Sequence, residues 1–557
     1  MARAIDLAVA DLQEIIDIAR DRGGAVLTAG ECVILNRIRS LTGPPARLYA
    51  RLTARRPTVF RTQSVACVGV EDIPAAVEVL IAQGLADRLV PWDRRADALT
   101  VPDLKAGLRH LGLPVGGRRD ALVARLRGRT HWQADPWFRI RHRRLLGRLE
   151  SWYFLRPSTD RSTLVVERLG HITWPSYRLT TGHAVFRRRS DLLQWETLLQ
   201  PDLTPEDALE ALRRGAHRAP GKLDLGRRLK RSLIDTARAL ETDAPDRARQ
   251  LYLALGTEPQ QRAELAPRVA RTLESESRPE DALDHLSACL VEATGAERIA
   301  IQRSGRRIAK TLRRGWPPDP PLRRPASRHL TLEAGSRAGS RPRYRVNGED
   351  QTVERAVCAM LHSVGRRAIH AEGALWSTLF ALLFADCYFL DVDGALPCRF
   401  LSGPLDLGTP AFRARREAPV SEVLDGILAG EVAARLRDAD HRFRGQRLAG
   451  AQWHVGSAEI LMDVATGIAP RALVTILEQI LVNGRRATRG LPDLAVLPGR
   501  ACHLPTGFPR RLSESLLLVE VKGPGDSLRD AQSVWLDRLL RSGTQVEIWE
   551  VKPSAVV

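Results

Sequence analysis

Near the C-terminus two short apolar runs, residues 494–497 and 516–521, are set between Gly, Pro and charged residues. Runs of this length bounded by breakers read as buried strands, and the polar stretch between them makes them hairpin partners. Successive side chains on a strand face opposite ways, so Glu520 and Lys522 share one face while Val521 points into the core. Asp493, following Pro492, enters the first strand, and the hairpin brings it beside Glu520. Two carboxylates and the Val521 carbonyl form an all-oxygen donor set, which suits the hard cations Mg²⁺ or Mn²⁺. Such an ion activates water and offsets charge on a phosphate. Lys522, a compact cation, would hold the attacking water or a phosphate oxygen. Glu-Val-Lys alone is commonly just a solvated ion-pair face. Pro492-Asp493, Gly523-Pro524 and a following helix with Gln532 and Trp535 raise it to a candidate site. Lysine is also a rare choice here, since only 6 of the 85 basic residues are Lys.

The 85 basic residues face 65 acidic ones, a net charge of +20 and a pI near 10.6. Biased base composition trades Lys for Arg without creating surplus charge, so the excess points to a polyanion, most simply nucleic acid. Apolar content of 44% excludes a disordered chain. The seven cysteines are scattered, without zinc spacing or a disulfide framework, which fits a reducing, cytoplasmic setting. The N-terminus is an amphipathic helix pattern rather than an export signal. The longest apolar run, 374–390, is interrupted by Ser377, Thr378 and Asp386; it reads as a buried helix, and no membrane partner is expected.

Residues 1–92 have a helical pattern and are expected to form a small helical domain. In 93–130, Thr100 caps a short helix with Pro102 in its first turn. The chain breaks at Gly112-Leu113-Pro114, and a second helix follows Gly116, Gly117, Arg118 and Arg119. This resembles a SAP motif, whose glycines let the backbone approach a phosphate while the helix N-terminus and arginines attract it. Residues 131–200 form a linker region where Trp132, Trp137, Trp152 and Arg139–Arg148 interleave, as core packing or as a stacking surface. Residues 201–318 are helical. Their stretches at 247–252 and 281–286 lie 34 residues apart, the tetratricopeptide spacing, so a TPR-like scaffold is expected, with recruitment of a protein partner as its alternative use. Pro317-Pro318-Asp319-Pro320-Pro321 marks a boundary. The last domain runs 326–557, with a strand at 330–332, helices after Val353 and Glu372, and strand 545–551 completing its sheet.

Pro492-Asp493, Glu520-Val521-Lys522, Gln532 and Trp535 together resemble the VRR-NUC branch of the PD-(D/E)xK nucleases. The wider chain is similar to the Fanconi-associated nucleases of bacterial type. The resemblance implies a multidomain protein with mostly α N-terminal and TPR-like regions, the helical domain 1–92 contacting DNA, and a C-terminal α/β restriction-endonuclease-like domain. It implies Asp493 and Glu520 as metal ligands, Lys522 as catalytic, Gln532 in support, and a further ligand from an earlier helix, matched by Glu372. It further implies a 5′-flap endonuclease with 5′–3′ exonuclease action on branched DNA, in interstrand-crosslink repair. The alternatives are a non-catalytic DNA scaffold, or a restriction- or junction-resolvase-like enzyme on the same core. The loop between Leu497 and Ser515 is longer than the family leads one to expect.

Overall fold

The computed structural model describes residues 2–23, 26–55, 57–88, 90–127, 136–154, 161–180, 188–198, 204–213, 223–319, 321–338, 341–498 and 515–554. They form two compact units, 1–172 with 181–200, and 173–180 with 201–557.

The first unit opens with helices α1 (Ala2–Gly23), α2 (Ala29–Ser40), α3 (Gly43–Thr53) and α4 (Ile73–Ala82). Thr28 and Glu31 close a capping box on α2, satisfying two donors that a helix start leaves open. Strands β1 (Val59–Arg61), β2 (Ala86–Asp87) and β3 (Trp137–Ile140) make an antiparallel sheet in the order β1-β3-β2. The sequence pattern made residues 1–92 helical and put Trp137 in a linker. The strands have only three, two and four residues, too few for a period-2 signal. The SAP-like helices α5 (Val101–His110) and α6 (Arg119–Leu126) are inserted between β2 and β3. Leu104, Leu108, Leu122 and Leu126 pack against Val59 and Trp137 of the sheet.

The interleaved aromatics are core. Trp137, Trp152, Tyr153 and Phe154 are buried, the last three on α7 (Arg143–Phe154). Their basic neighbours are engaged too: Arg139 with Asp87, and Arg148 with Glu31 and Glu196. Trp132 lies outside the described residues.

The second unit holds paired helices α8 (Pro245–Leu255), α9 (Pro259–Ser275), α10 (Pro279–Leu290) and α11 (Gly295–Leu312). Proline in the first turn starts α8, α9 and α10, where its missing N–H costs nothing. Ala248 and Ala282, 34 positions apart, are fully buried, as are Tyr252 and Leu286 one turn later. Small residues at those points let successive helices approach. The 317–321 stretch does not end this unit: Arg298 pairs with Asp319 at 2.8 Å, and the Arg323 N–H donates to Asp537 at 2.8 Å. Residues 173–180, expected as linker, also dock here. Tyr177 stacks on Phe389 with centroids 5.1 Å apart, and its hydroxyl donates to the Cys398 carbonyl at 2.6 Å.

The C-terminal part is a five-stranded sheet in the order β4-β8-β7-β6-β5. Its members are β4 (Ala326–Leu332), β5 (Ala368–His370), β6 (Leu494–Val496), β7 (Leu517–Lys522) and β8 (Gln545–Pro553). β4, β8 and β7 are parallel, and β6 and β5 antiparallel to their neighbours. The last strand was expected to complete the sheet; it lies inside, and β4 is the edge. On one face Ala495, Leu518, Val546 and Ile548 pack under α13 (Ala374–Leu383), α14 (Pro470–Asn483) and α15 (Asp530–Arg541). On the other, Leu494, Val519, Val521 and Trp549 pack against α12 (Val353–Ser363). Helix α13 tolerates its polar residues because Ser377 and Thr378 donate back to the Gly373 and Ala374 carbonyls at 2.6 and 2.8 Å. No single helix among the described residues is long and apolar enough to cross a membrane.

Candidate active site

The hairpin pairing holds: Leu517, Leu518 and Val519 oppose Val496, Ala495 and Leu494. Alternation along β7 puts Glu520 and Lys522 on the face of Leu518, under α15, and Val521 on the opposite face. Glu520 is 1% exposed. One of its oxygens, Oε1, accepts from Lys522 Nζ at 2.8 Å and from Gln532 Nε2; the other, Oε2, is buried and has no partner among the described residues. Gln532 Oε1 in turn accepts from Lys522 Nζ at 3.0 Å and from the Arg529 N–H at 2.9 Å. Gln532 thus locks the start of α15 to β7. Trp535, one turn on, anchors the helix by donating to the Ala487 carbonyl at 2.8 Å.

Asp493 lies just before β6, and its Oδ2 accepts the Val521 N–H at 2.8 Å. An extended residue sends its N–H and C=O to the same edge, so the Val521 carbonyl also leaves toward the acids, beyond where β6 ends. The Asp493 carbonyl accepts the Ala371 N–H at 2.7 Å, which brings the next residue, Glu372, to the same end of the sheet. Glu372 was expected on a helix. It occupies the turn between β5 and α13, which Gly373 closes with φ +66°.

The electrostatics record this convergence. Burial, then the Asp493 charge, pushes Glu520 up to about 8, with Glu372 adding and Lys522 opposing. Burial likewise pushes Asp493 up to about 6, with the Glu354 and Glu372 charges adding. Glu354 was missed: an acid in the first turn of α12 looks in sequence like a partner for the helix dipole. As the side chains stand, no three His, Cys, Asp or Glu among the described residues close around an ion. The donor set nevertheless fits a hard divalent cation. Glu520 presents a buried oxygen without a donor, and the mutual repulsion of the acids is what a cation relieves. Residues 499–514 of the long loop lie outside the described residues.

In the SAP-like motif the cap is as expected, Thr100 and Asp103 forming a capping box, with Pro102 in the first turn. Gly117 has φ +114°, and Gly116 and Arg118 are exposed. Arg119 is placed differently from expectation. Its guanidinium donates to the Ala96 carbonyl at 2.8 Å and the Leu99 carbonyl at 3.3 Å, so it holds the motif together. Arg125 does similar work, donating to the Pro114 carbonyl at 2.9 Å.

A carboxylate-lined α/β sheet, in a chain that also carries paired helices and a SAP-like motif, defines the class as a multidomain chain with a VRR-NUC module. The VRR-NUC domain profile matches residues 433–553, taking in Asp493, Glu520, Lys522 and Gln532 but not Glu372 or Glu354; the SAP domain profile matches 95–129. A Fanconi-associated nuclease 1 homolog of Pseudomonas aeruginosa is 30% identical over 88% of this chain and 85% of its own. The Arabidopsis thaliana homolog is 27% identical over 74% of this chain and 49% of its own, so the chain spans about half the length of that plant relative. The crystal structure of paFAN1 bound to 2nt 5′flap DNA with gap has a TM-score of 0.78, covering 99% of both chains at 24% identity, and shows the shared fold. The chain belongs to the Fanconi-associated nuclease 1 family.

Proposed function

We propose that the chain is a divalent-metal-dependent, structure-specific DNA nuclease of DNA repair that cuts branched DNA at 5′ flaps, with 5′–3′ exonuclease action, in interstrand-crosslink repair at the nucleoid. The observation that carries this reading is the meeting of Asp493, Glu520 and Glu372 at one end of the sheet beside the Lys522 amine. Asp493, Glu520, Glu372 and the Val521 carbonyl would hold Mg²⁺ or Mn²⁺. Bound there, the ion supplies an activated water and offsets charge on the scissile phosphate. Lys522 holds a phosphate oxygen or the attacking water, and Gln532 fixes its amine. The SAP-like loop, with Gly116, Gly117 and Arg118, grips the DNA backbone without reading sequence. The paired helices serve as scaffold, with a docked repair protein as a further use.

The test compares cleavage of a labelled 5′ flap, a four-way junction and an unbranched duplex with Mn²⁺ present. Preference for the flap supports the reading. Equal cutting of all three points to a restriction-like enzyme, and binding without cutting points to a scaffold.

A further inference from the structure

A cleft of about 1390 Å³ adjoins the catalytic strand, bounded by α11, the 321–325 segment, the Gly523–Leu528 turn and the start of α15. It exceeds the roughly 300–1,000 Å³ of ordinary small-molecule pockets, so its size suits a stretch of polymer. Eight basic and five acidic side chains line it. Each acid already has a partner. Asp319 takes Arg298 and Asp530 takes Arg303, while Asp537 takes Arg541 and the Arg323 N–H. Asp526 accepts the Gly523 N–H at 3.1 Å, and Glu550 lies 3.2 Å from His329. Arg306, Arg324 and Lys552 are exposed and, among the described residues, have neither an acid nor a hydrogen-bond partner. Their surplus charge stands in a cleft that begins at Lys522 itself.

Two details narrow the ligand. Among the described residues no aromatic side chain lines the cleft, so it lacks the aromatic platforms on which successive bases stack, and its grip falls on the backbone. The turn at its mouth is Gly523-Pro524-Gly525, with φ +81° at Gly525, and a turn nearly free of side chains lets a phosphate come close. Lysine use agrees: of the chain's 6 Lys, both Lys522 and Lys552 line this cleft.

We infer that this cleft cradles the phosphates of the single-stranded DNA arm leading away from the cut, an inference that rests on the nuclease reading above. The arm is held without regard to sequence, by Arg306, Arg324 and Lys552.

The test is binding of fluorescein-labelled oligo(dT) to the full chain by anisotropy, in EDTA so that no cleavage occurs, over a range of salt. The triple variant Arg306→Glu, Arg324→Glu, Lys552→Glu should bind single strands at least tenfold more weakly. Its salt slope should fall by about 2, since each single-strand phosphate contact contributes roughly 0.7. Blunt-duplex affinity should hold, and a flap of one nucleotide should still be cut at the wild-type rate while a twelve-nucleotide flap is cut more slowly. Unchanged oligo(dT) binding overturns the inference, as does an equal loss for duplex and single strand. Should the wild type bind oligo(dT) through these residues yet cut no flap, the cleft stands and the nuclease reading fails. Should it cut flaps while the triple variant binds oligo(dT) like wild type, the reverse holds.

Discussion

Replacing Glu520 with Gln should stabilise the metal-free protein while destroying its activity. Glu520 is buried, and burial with the Asp493 charge moves its titration from 4.5 up to about 8. The folded chain therefore keeps the proton between those values while the unfolded chain has lost it, so this group's contribution to stability falls as pH rises from 4.5 to about 8 and then stays level. At ~1.4 kcal/mol per pH unit, holding the ionised group in the fold costs on the order of 5 kcal/mol above pH 8. The amide introduced by E520Q would keep an oxygen to accept from Lys522 and Gln532 and would carry no charge. Calorimetry in EDTA should show the E520Q melting temperature above wild type, with the gap growing between pH 6 and pH 9 to several degrees. Millimolar Mn²⁺ should raise wild type more than the variant, because a cation relieves a repulsion the variant lacks. A wild type as stable as E520Q at pH 9 in EDTA would refute the electrostatic reasoning.

Gly490→Ala should cost roughly 2–4 kcal/mol. Gly490 has φ +87°, and an added Cβ would meet the Ala531 carbonyl carbon at 2.7 Å and the Gln532 nitrogen at 2.8 Å, backbone atoms at the start of α15; urea melts read the loss. Lys522→Met should lower kcat by about 10²–10³ with DNA affinity unchanged, checked by single-turnover cleavage beside gel shifts. Arg118→Ala should weaken DNA binding and lower the salt slope by about 1. Arg119→Ala should instead lower the melting temperature, losing about 1–3 kcal/mol of hydrogen bonding to Ala96 and Leu99.

The hairpin of the candidate site was legible because its signal is local: two apolar runs, charges at their ends and strict alternation place Asp493, Glu520 and Lys522 without tertiary knowledge. Glu354 and the turn position of Glu372 were not, since an acid at a helix start looks the same whether it faces solvent or another carboxylate. Arg118 and Arg119 are neighbours of identical chemistry, and only packing separates the exposed one from the one turned onto carbonyls. The small sheet of the first unit escaped because its strands are a few residues long and its middle strand comes from beyond the SAP-like insertion. Likewise the Pro-rich 317–321 stretch looked like a boundary, but ion pairs and hydrogen bonds made by Asp319 and Arg323 carry the fold across it.

The most direct measurement is Mn²⁺-dependent cleavage of a labelled 5′ flap by wild type and Asp493→Ala, with gel-shift affinity taken on the same samples. Metal-dependent cutting by wild type, falling at least 10²-fold in the variant while binding holds, is the expected result. A wild type that binds the flap but never cuts it with any divalent ion, or a variant that cuts as well as wild type, would contradict a metal site built on Asp493, Glu520 and Glu372.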